Sequence, residues 1–197
     1  ILLAYASRIC PNILVKTAVR AASIGYAIPG AALAIGILIA VGAIDYLLSN
    51  TIGKLFNIPA SILVGSGITA LLFAYTSRFL AISVGAAEAG LTKVTYNMDM
   101  VARTLGSGAT STLFSVHAPL IRSSVITGAV LVFVDIMKEL PATLILRPFN
   151  FETLATFVYQ YASDELLNES APAALTIVLA GILPVILLSR AIDQLHK

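Results

Sequence analysis

The chain has 197 residues, 58% of them hydrophobic and 11% charged, with no tryptophan. Its mean hydropathy is +0.95, far above the apolar share of an ordinary soluble domain. A net charge of +2 is too small to argue for nucleic acid as a partner, and a single cysteine, Cys10, excludes an internal disulfide framework. One thiol and two scattered histidines, His117 and His196, supply no metal or redox motif. No phosphate-binding loop and no nucleophile–base pair is visible, so the chain carries no ATPase or hydrolase signature of its own.

Taken in order, residues 1–22 mix apolar positions with Arg8, Lys16 and Arg20 and are divided by Pro11, the pattern of an interfacial or cytoplasmic segment. Ser23–Ile44 is the first run of membrane-crossing length. Ala32 and Gly36 lie one helical turn apart in it, which lets a neighbouring helix approach closely. Asp45–Pro59 reads as a polar connection and Ile62–Ala87 as the second span. Ser124–Leu146 is the third span, Arg147–Ser170 an outer loop, and Ala171–Ser189 the fourth span, with Ser170 as its cap and Pro184 as a kink. The expectation is an all-α polytopic membrane protein with about four crossings. Across that alternation, Arg8, Lys16, Arg20, Lys93, Arg103, Arg122, Arg190 and Lys197 share one side, which is therefore cytoplasmic. Lys54 and Arg147 fall on the other.

Between the second and third spans lies the longest stretch without a membrane-length apolar run, residues 99–122. Asp99–Leu105 reads as a short helix with an acid at its positive end. Gly106-Ser107-Gly108 breaks it, a second short helix starts at Ser111, and Pro119 ends the element. The result is a cytoplasmic knuckle.

The knuckle resembles a loop shared by the membrane subunits of binding-protein-dependent ABC importers, which reads E-A-A, three residues, G, nine residues, I-x-L-P. Ala102 matches the second alanine, Gly106 the glycine, Val116 the isoleucine and Pro119 the proline. Met100, Val101 and Ala118 depart from the pattern, and Asp99 is the acid that can stand in one position early. The resemblance implies a coupling surface for a separate ABC ATPase subunit, formed by Asp99, Ala102, Arg103, Gly106, Val116 and Pro119. It implies no cofactor on this chain, ATP being used by the partner, and closure of the ATPase would push on the knuckle and rock the spans.

The third span carries Asp135, Lys138 and Glu139, followed by Pro141; the second carries Arg78. A charge at bilayer depth costs roughly 2.5–3.5 kcal/mol on insertion scales, so each of these faces a cavity or a partner. Lys138 can pair with Asp135 one turn below it. It lies about 24 Å from Arg122 along the helix, in the outer half of the membrane. Pro141 bends the helix just beyond the charges. A structural ion pair and a translocation pathway lined by Arg78, Asp135, Lys138, Glu139 and Pro141 are both open readings.

The stretch from Met137 to Glu165 is similar to the last third of the ferric-iron permeases within that importer family. Members are often fused doubles of about twelve spans, of which this chain would be the last four. The resemblance implies an inner-membrane permease that takes Fe(III) from a periplasmic iron-binding protein. It also implies a second permease half, or a fused N-terminal half, as partner in the lipid. Glu152, Asp164, Glu165 and Glu169 make the outer loop oxygen-rich, which suits a hard cation. Solvation and docking of the binding protein explain them more simply than direct ligation of iron. His117 reads as a polar surface residue, and Tyr159 and Tyr161 as an interfacial aromatic belt. Thiamine, sulfate or polyamine transport, and a secondary carrier or channel, are the rival readings.

Overall fold

The structure is a computed structural model that describes residues 1–48, 50–51 and 67–195. Lys54, the start of the expected second span at 62–66, His196 and Lys197 lie outside the described residues, as does most of the connection expected at 45–59.

The elements are α1 (Leu2–Ile9), α2 (Ile13–Ala27), α3 (Gly30–Leu48), α4 (Gly67–Leu91), α5 (Tyr96–Thr104), α6 (Ala109–Met137), α7 (Pro141–Leu146), α8 (Leu154–Ser163) and α9 (Leu167–Leu195). Among the described residues none is in a strand. Among the described residues four helices are long and apolar enough to cross a membrane: Gly30–Leu48, Ile68–Leu91, Ala109–Met137 and Leu167–Ile186. The number matches the sequence expectation; the boundaries do not.

Helix α4 is the hub, packed along α2 and α6 and touching α1, α3 and α7. One apolar cluster lies at its C-terminal end, where Ala87, Leu91 and Val94 meet Ala4 and Tyr5 of α1 and Leu113 and Ile121 of α6. A second lies toward its N-terminal end, where Ala70, Leu71 and Ala74 meet Ala34 and Ile37 of α3 and Ala142 and Leu146 of α7.

Three expectations change. The run Ser23–Ile44 is broken: α2 stops at Ala27 and α3 starts at Gly30, because Pro29 carries no amide and forces Ile28 into extended backbone (ψ 132°). Residues 1–22 divide around Pro11, as expected, between α1 and the start of α2. After α1, Asn12 caps α2 by accepting from the Val15 amide, and α2 runs lengthwise against α4. The run Ser124–Leu146 is also broken, since α6 ends at Met137 and Pro141 opens α7 as its first residue instead of bending a continuous span. The outer loop is largely helical: Thr153 caps α8 in a reciprocal arrangement with Thr156, and α9 already begins at Leu167. Ser170 therefore lies inside α9, its hydroxyl donating to the Leu167 carbonyl, and does not cap it.

Close helix approach occurs elsewhere than at Ala32 and Gly36. Both line an open apolar groove of about 550 Å³ between α3 and α4. The tight crossing of α4 and α6 lies at Gly128, where an added Cβ would fall 2.6 Å from the Ala86 Cβ.

Candidate functional site

The knuckle is built as a glycine-closed helix end. After α5, Leu105 is the cap residue and Gly106 takes φ +81°, in the left-handed region. The Ser107 amide donates to the Ala102 carbonyl (2.9 Å) and the Gly106 amide to the Arg103 carbonyl (3.0 Å). This pairing satisfies the last carbonyls of α5 and requires the φ that glycine adopts without strain. Ala102 is buried beneath the turn, while Arg103 and Gly106 are exposed.

Beyond the turn, the sequence expectation fails in an instructive way. Pro119 does not end the element; Ala109–Met137 is one helix. Residues Leu113–His117 form a widened π turn, in which the Ala118 amide reaches back five residues to the Leu113 carbonyl. The helix therefore has no regular four-residue bond to lose at Pro119 and continues through it.

The same turn rotates His117 inward, to 0% exposure. It is thus a core residue, not the surface residue its polarity suggested. Its Nε2 lies 2.6 Å from Asp99 Oδ1 and its ring contacts Tyr5. The other Asp99 oxygen accepts from Arg8 Nε (3.1 Å) and Nη2 (2.9 Å). Arg8 also donates to the carbonyls of Leu91 (2.6 Å) and Val94 (2.7 Å) at the end of α4, and the Tyr5 hydroxyl donates to the Ala109 carbonyl. One buried carboxylate and one guanidinium therefore tie α1, α4, α5 and α6 together. Burial by itself would raise the Asp99 pKa, but the bonds from Arg8 and His117 outweigh it and hold the carboxyl below its ordinary value. Asp99 is turned into the fold. The knuckle presents Met100, Val101, Leu105 and Phe114 to the outside, with Leu105 79% exposed.

The spans hold a second charged cluster, about 20 Å along α4 from Leu91 and about 17 Å from Gly67. Here Arg78 Nη1 donates to the carbonyl of Ile28 (3.1 Å), at the break between α2 and α3. Its Nε lies 3.5 Å from Glu139 Oε2 without hydrogen-bond geometry. Glu139 Oε1 accepts from the Ala142 amide (3.3 Å), capping the first turn of α7 across the second break. Thr143 donates to the Glu139 carbonyl and shares a 2.5 Å bond with the Tyr75 hydroxyl. Gly30 lies directly on the pair: a Cβ there would fall 2.6 Å from Glu139 Oε1 and 2.8 Å from Arg78 Nη1.

Of the five pathway candidates, Arg78 and Glu139 meet here, and Pro141 opens the neighbouring α7 with an exposed side chain. Asp135 and Lys138 do not. They pair with each other at 2.8 Å, as their spacing predicted, and the Lys138 side chain is 64% exposed. In the outer segment Arg147 pairs with Glu152 (3.0 Å), and Asp164, Glu165 and Glu169 are exposed. Tyr161 stacks on Phe157.

These features define a polytopic helical membrane protein with a glycine-closed knuckle at one end of its spans and a buried ion pair between two broken helices. Residues 3–197 match the family described as the binding-protein-dependent transport system inner membrane component, and the chain belongs to that family. Over 120 residues it is 30% identical to the Fe(3+)-transport system permease protein FbpB 2 of Haemophilus influenzae, covering 61% of this chain and 24% of that protein. Over 112 residues it is 30% identical to the molybdate/tungstate transport system permease protein WtpB of Pyrococcus furiosus, covering 57% of this chain and 43% of that one. The chain thus spans a quarter to less than half of the length of these curated relatives.

Proposed function

We propose that this chain is part of the permease of an ATP-driven importer that carries ferric iron inward across the inner membrane. A periplasmic binding protein delivers the iron. A separate ABC ATPase docks on the knuckle and hydrolyses the ATP, and a second permease half completes the path. The observation that carries this reading is the knuckle itself: a rigid turn closed by Gly106, fastened inward through Asp99 and exposing an apolar face. Such a face suits insertion into a partner's groove, and Arg103 and Pro119 are exposed in the same element. The similarity to the ferric-iron permease supports the choice of cargo.

A second reading, import of an oxyanion, is favoured by the similarity to the molybdate/tungstate permease and by a guanidinium at membrane depth. Uptake of radioactive iron by membrane vesicles, with thiamine, sulfate, polyamines, molybdate and tungstate as competitors, separates the readings. Ferric-iron import predicts uptake that depends on this chain and on ATP and resists every competitor. Chain-dependent molybdate uptake without iron uptake would replace iron by the oxyanion.

A further inference from the structure

We propose, on the importer reading above, that Arg78 and Glu139 form a charged gate among the membrane helices. The ATP-driven cycle parts them, and whichever is opposite in charge to the cargo contacts it in passage. The two side chains sit where two helix breaks converge, Ile28–Pro29 between α2 and α3 and Lys138–Leu140 between α6 and α7. Backbone at such breaks is released from the helical ladder, so the segments beyond them can swing as units. Arg78 holds the first break through the Ile28 carbonyl, and Glu139 holds the second through the Ala142 amide. The two breaks are joined through the ionic contact of these side chains, and that contact is a loose one. At 3.5 Å it lacks hydrogen-bond geometry, and the buried Arg78 Nε has no hydrogen-bond partner.

A pair built to hold would close as a charge-assisted fork at about 2.7–2.9 Å. This pair keeps two ions together without binding them tightly, which suits a contact that is repeatedly broken. Gly30 reinforces the reading. The start of α3 rests on both charged groups with no room for a Cβ, so any side chain at position 30 would push against the pair. Once parted, neither ion can stay alone in a low-dielectric interior, and a charged solute or water must replace the lost partner. A hard cation would meet the Glu139 carboxylate beside the Tyr75 and Thr143 hydroxyls. An oxyanion would meet the Arg78 guanidinium and its unused Nε–H.

The test uses the intact importer, with its ATPase and binding protein, in proteoliposomes. In a Cys10→Ser background, cysteines at Ile28 and Leu140 are bridged by a short, reducible bifunctional thiol reagent. The gate predicts at least a tenfold fall in uptake while bridged and recovery on reduction. Undiminished uptake through bridged protein would overturn the gate alone. Charge is read separately, with ferric iron and molybdate as probes and uptake expressed per inserted molecule. Both Glu139→Gln and Arg78→Gln should lower uptake; for a cationic cargo the Glu139→Gln loss should be at least threefold the larger, and for an oxyanion the order should invert. Lower abundance with unchanged uptake per inserted molecule in both variants would return the pair to a structural clamp. If the wild type takes up neither probe with ATP, the ferric-iron and oxyanion readings both fall and take the charge assignment of the gate with them.

Discussion

Among the described residues two part-buried arginines, Arg8 and Arg78, face buried carboxylates, and they are used differently. Arg8, at the knuckle, spends its donors on four short bonds to three acceptors, Asp99 and the carbonyls of Leu91 and Val94. Arg78, between the broken spans, makes one hydrogen bond and one loose ionic contact. A planar guanidinium saturated this way fixes the relative positions of everything it touches. A half-used one leaves capacity for something else. On the proposed reading, the contrast separates a part of the molecule that moves as a solid body from a part that comes apart.

The largest expected effect breaks the first half of that contrast. Arg8→Ala leaves the Asp99 carboxylate with His117 alone and strips two helix-end carbonyls of their donor. Removing one partner of a buried pair typically costs about 3–5 kcal/mol, so the variant should lose most of its membrane-inserted protein. Arg8→Lys should recover only part of that, because one ammonium cannot reach all three acceptors. Arg78→Lys, with a single hydrogen bond to replace, should melt much closer to the wild type in detergent. If both lysine variants lose equal stability, the two sites do not differ in kind.

Acid sharpens the comparison next. The Asp99 pKa is held below its ordinary value, so its stabilising contribution is fully present above the usual carboxylate range near ~4 and is lost as pH falls through the lower folded value. A fluorophore on Cys10, exposed at the end of α1, should report a docked knuckle unchanged from pH 8 to 5, with release only in stronger acid. Asp99→Asn should abolish that acid limb. Release already complete at pH 5 would contradict the assignment.

A smaller effect is expected at the turn. Gly106→Val forces a β-branched residue to φ +81°, at about 1–2 kcal/mol. Insertion should survive while ATP-driven uptake is lost, and Gly106→Asn should retain more of it. Normal import by Gly106→Val at wild-type abundance would mean that the shape of the turn does not transmit the stroke.

The knuckle's position and its glycine were legible in the sequence, because a glycine needed for a positive φ and a proline at a fixed distance from it leave a one-dimensional trace. Its fastener was not. Arg8 lies 91 residues from Asp99, and nothing local marks a cation that folds back onto a helix end. His117 escapes a sequence reading because polarity near a proline suggests a surface, whereas a π turn rotates it inward. The four crossings follow from apolar length, but the two breaks inside them do not. Hydropathy averages over Pro29 and over Lys138-Glu139-Leu140, although the prolines are plain to see. Sequence also groups Lys138 with Glu139 as neighbours. The end of α6 sends them to opposite destinations, one to Asp135 and one to Arg78.

That parting underlies the smallest expected effect. Lys138 is mostly exposed and its pair with Asp135 is an i,i+3 contact on one helix face. Exposed pairs of this kind contribute about 0–1 kcal/mol, and a long lysine can carry its charge toward the membrane surface. Glu139 has neither escape, being 8% exposed beneath Gly30. Lys138→Gln should therefore leave abundance and melting temperature unchanged within error, and should change uptake per inserted molecule by less than twofold. Adjacent Glu139→Gln should change uptake far more. Exchanging the two residues, Lys138→Glu with Glu139→Lys, conserves both charges but sets the new carboxylate against Asp135 and the new ammonium against Arg78. The exchange should be worse than either single change. A large uptake defect in Lys138→Gln at normal abundance would move the pathway from the buried pair to the exposed one.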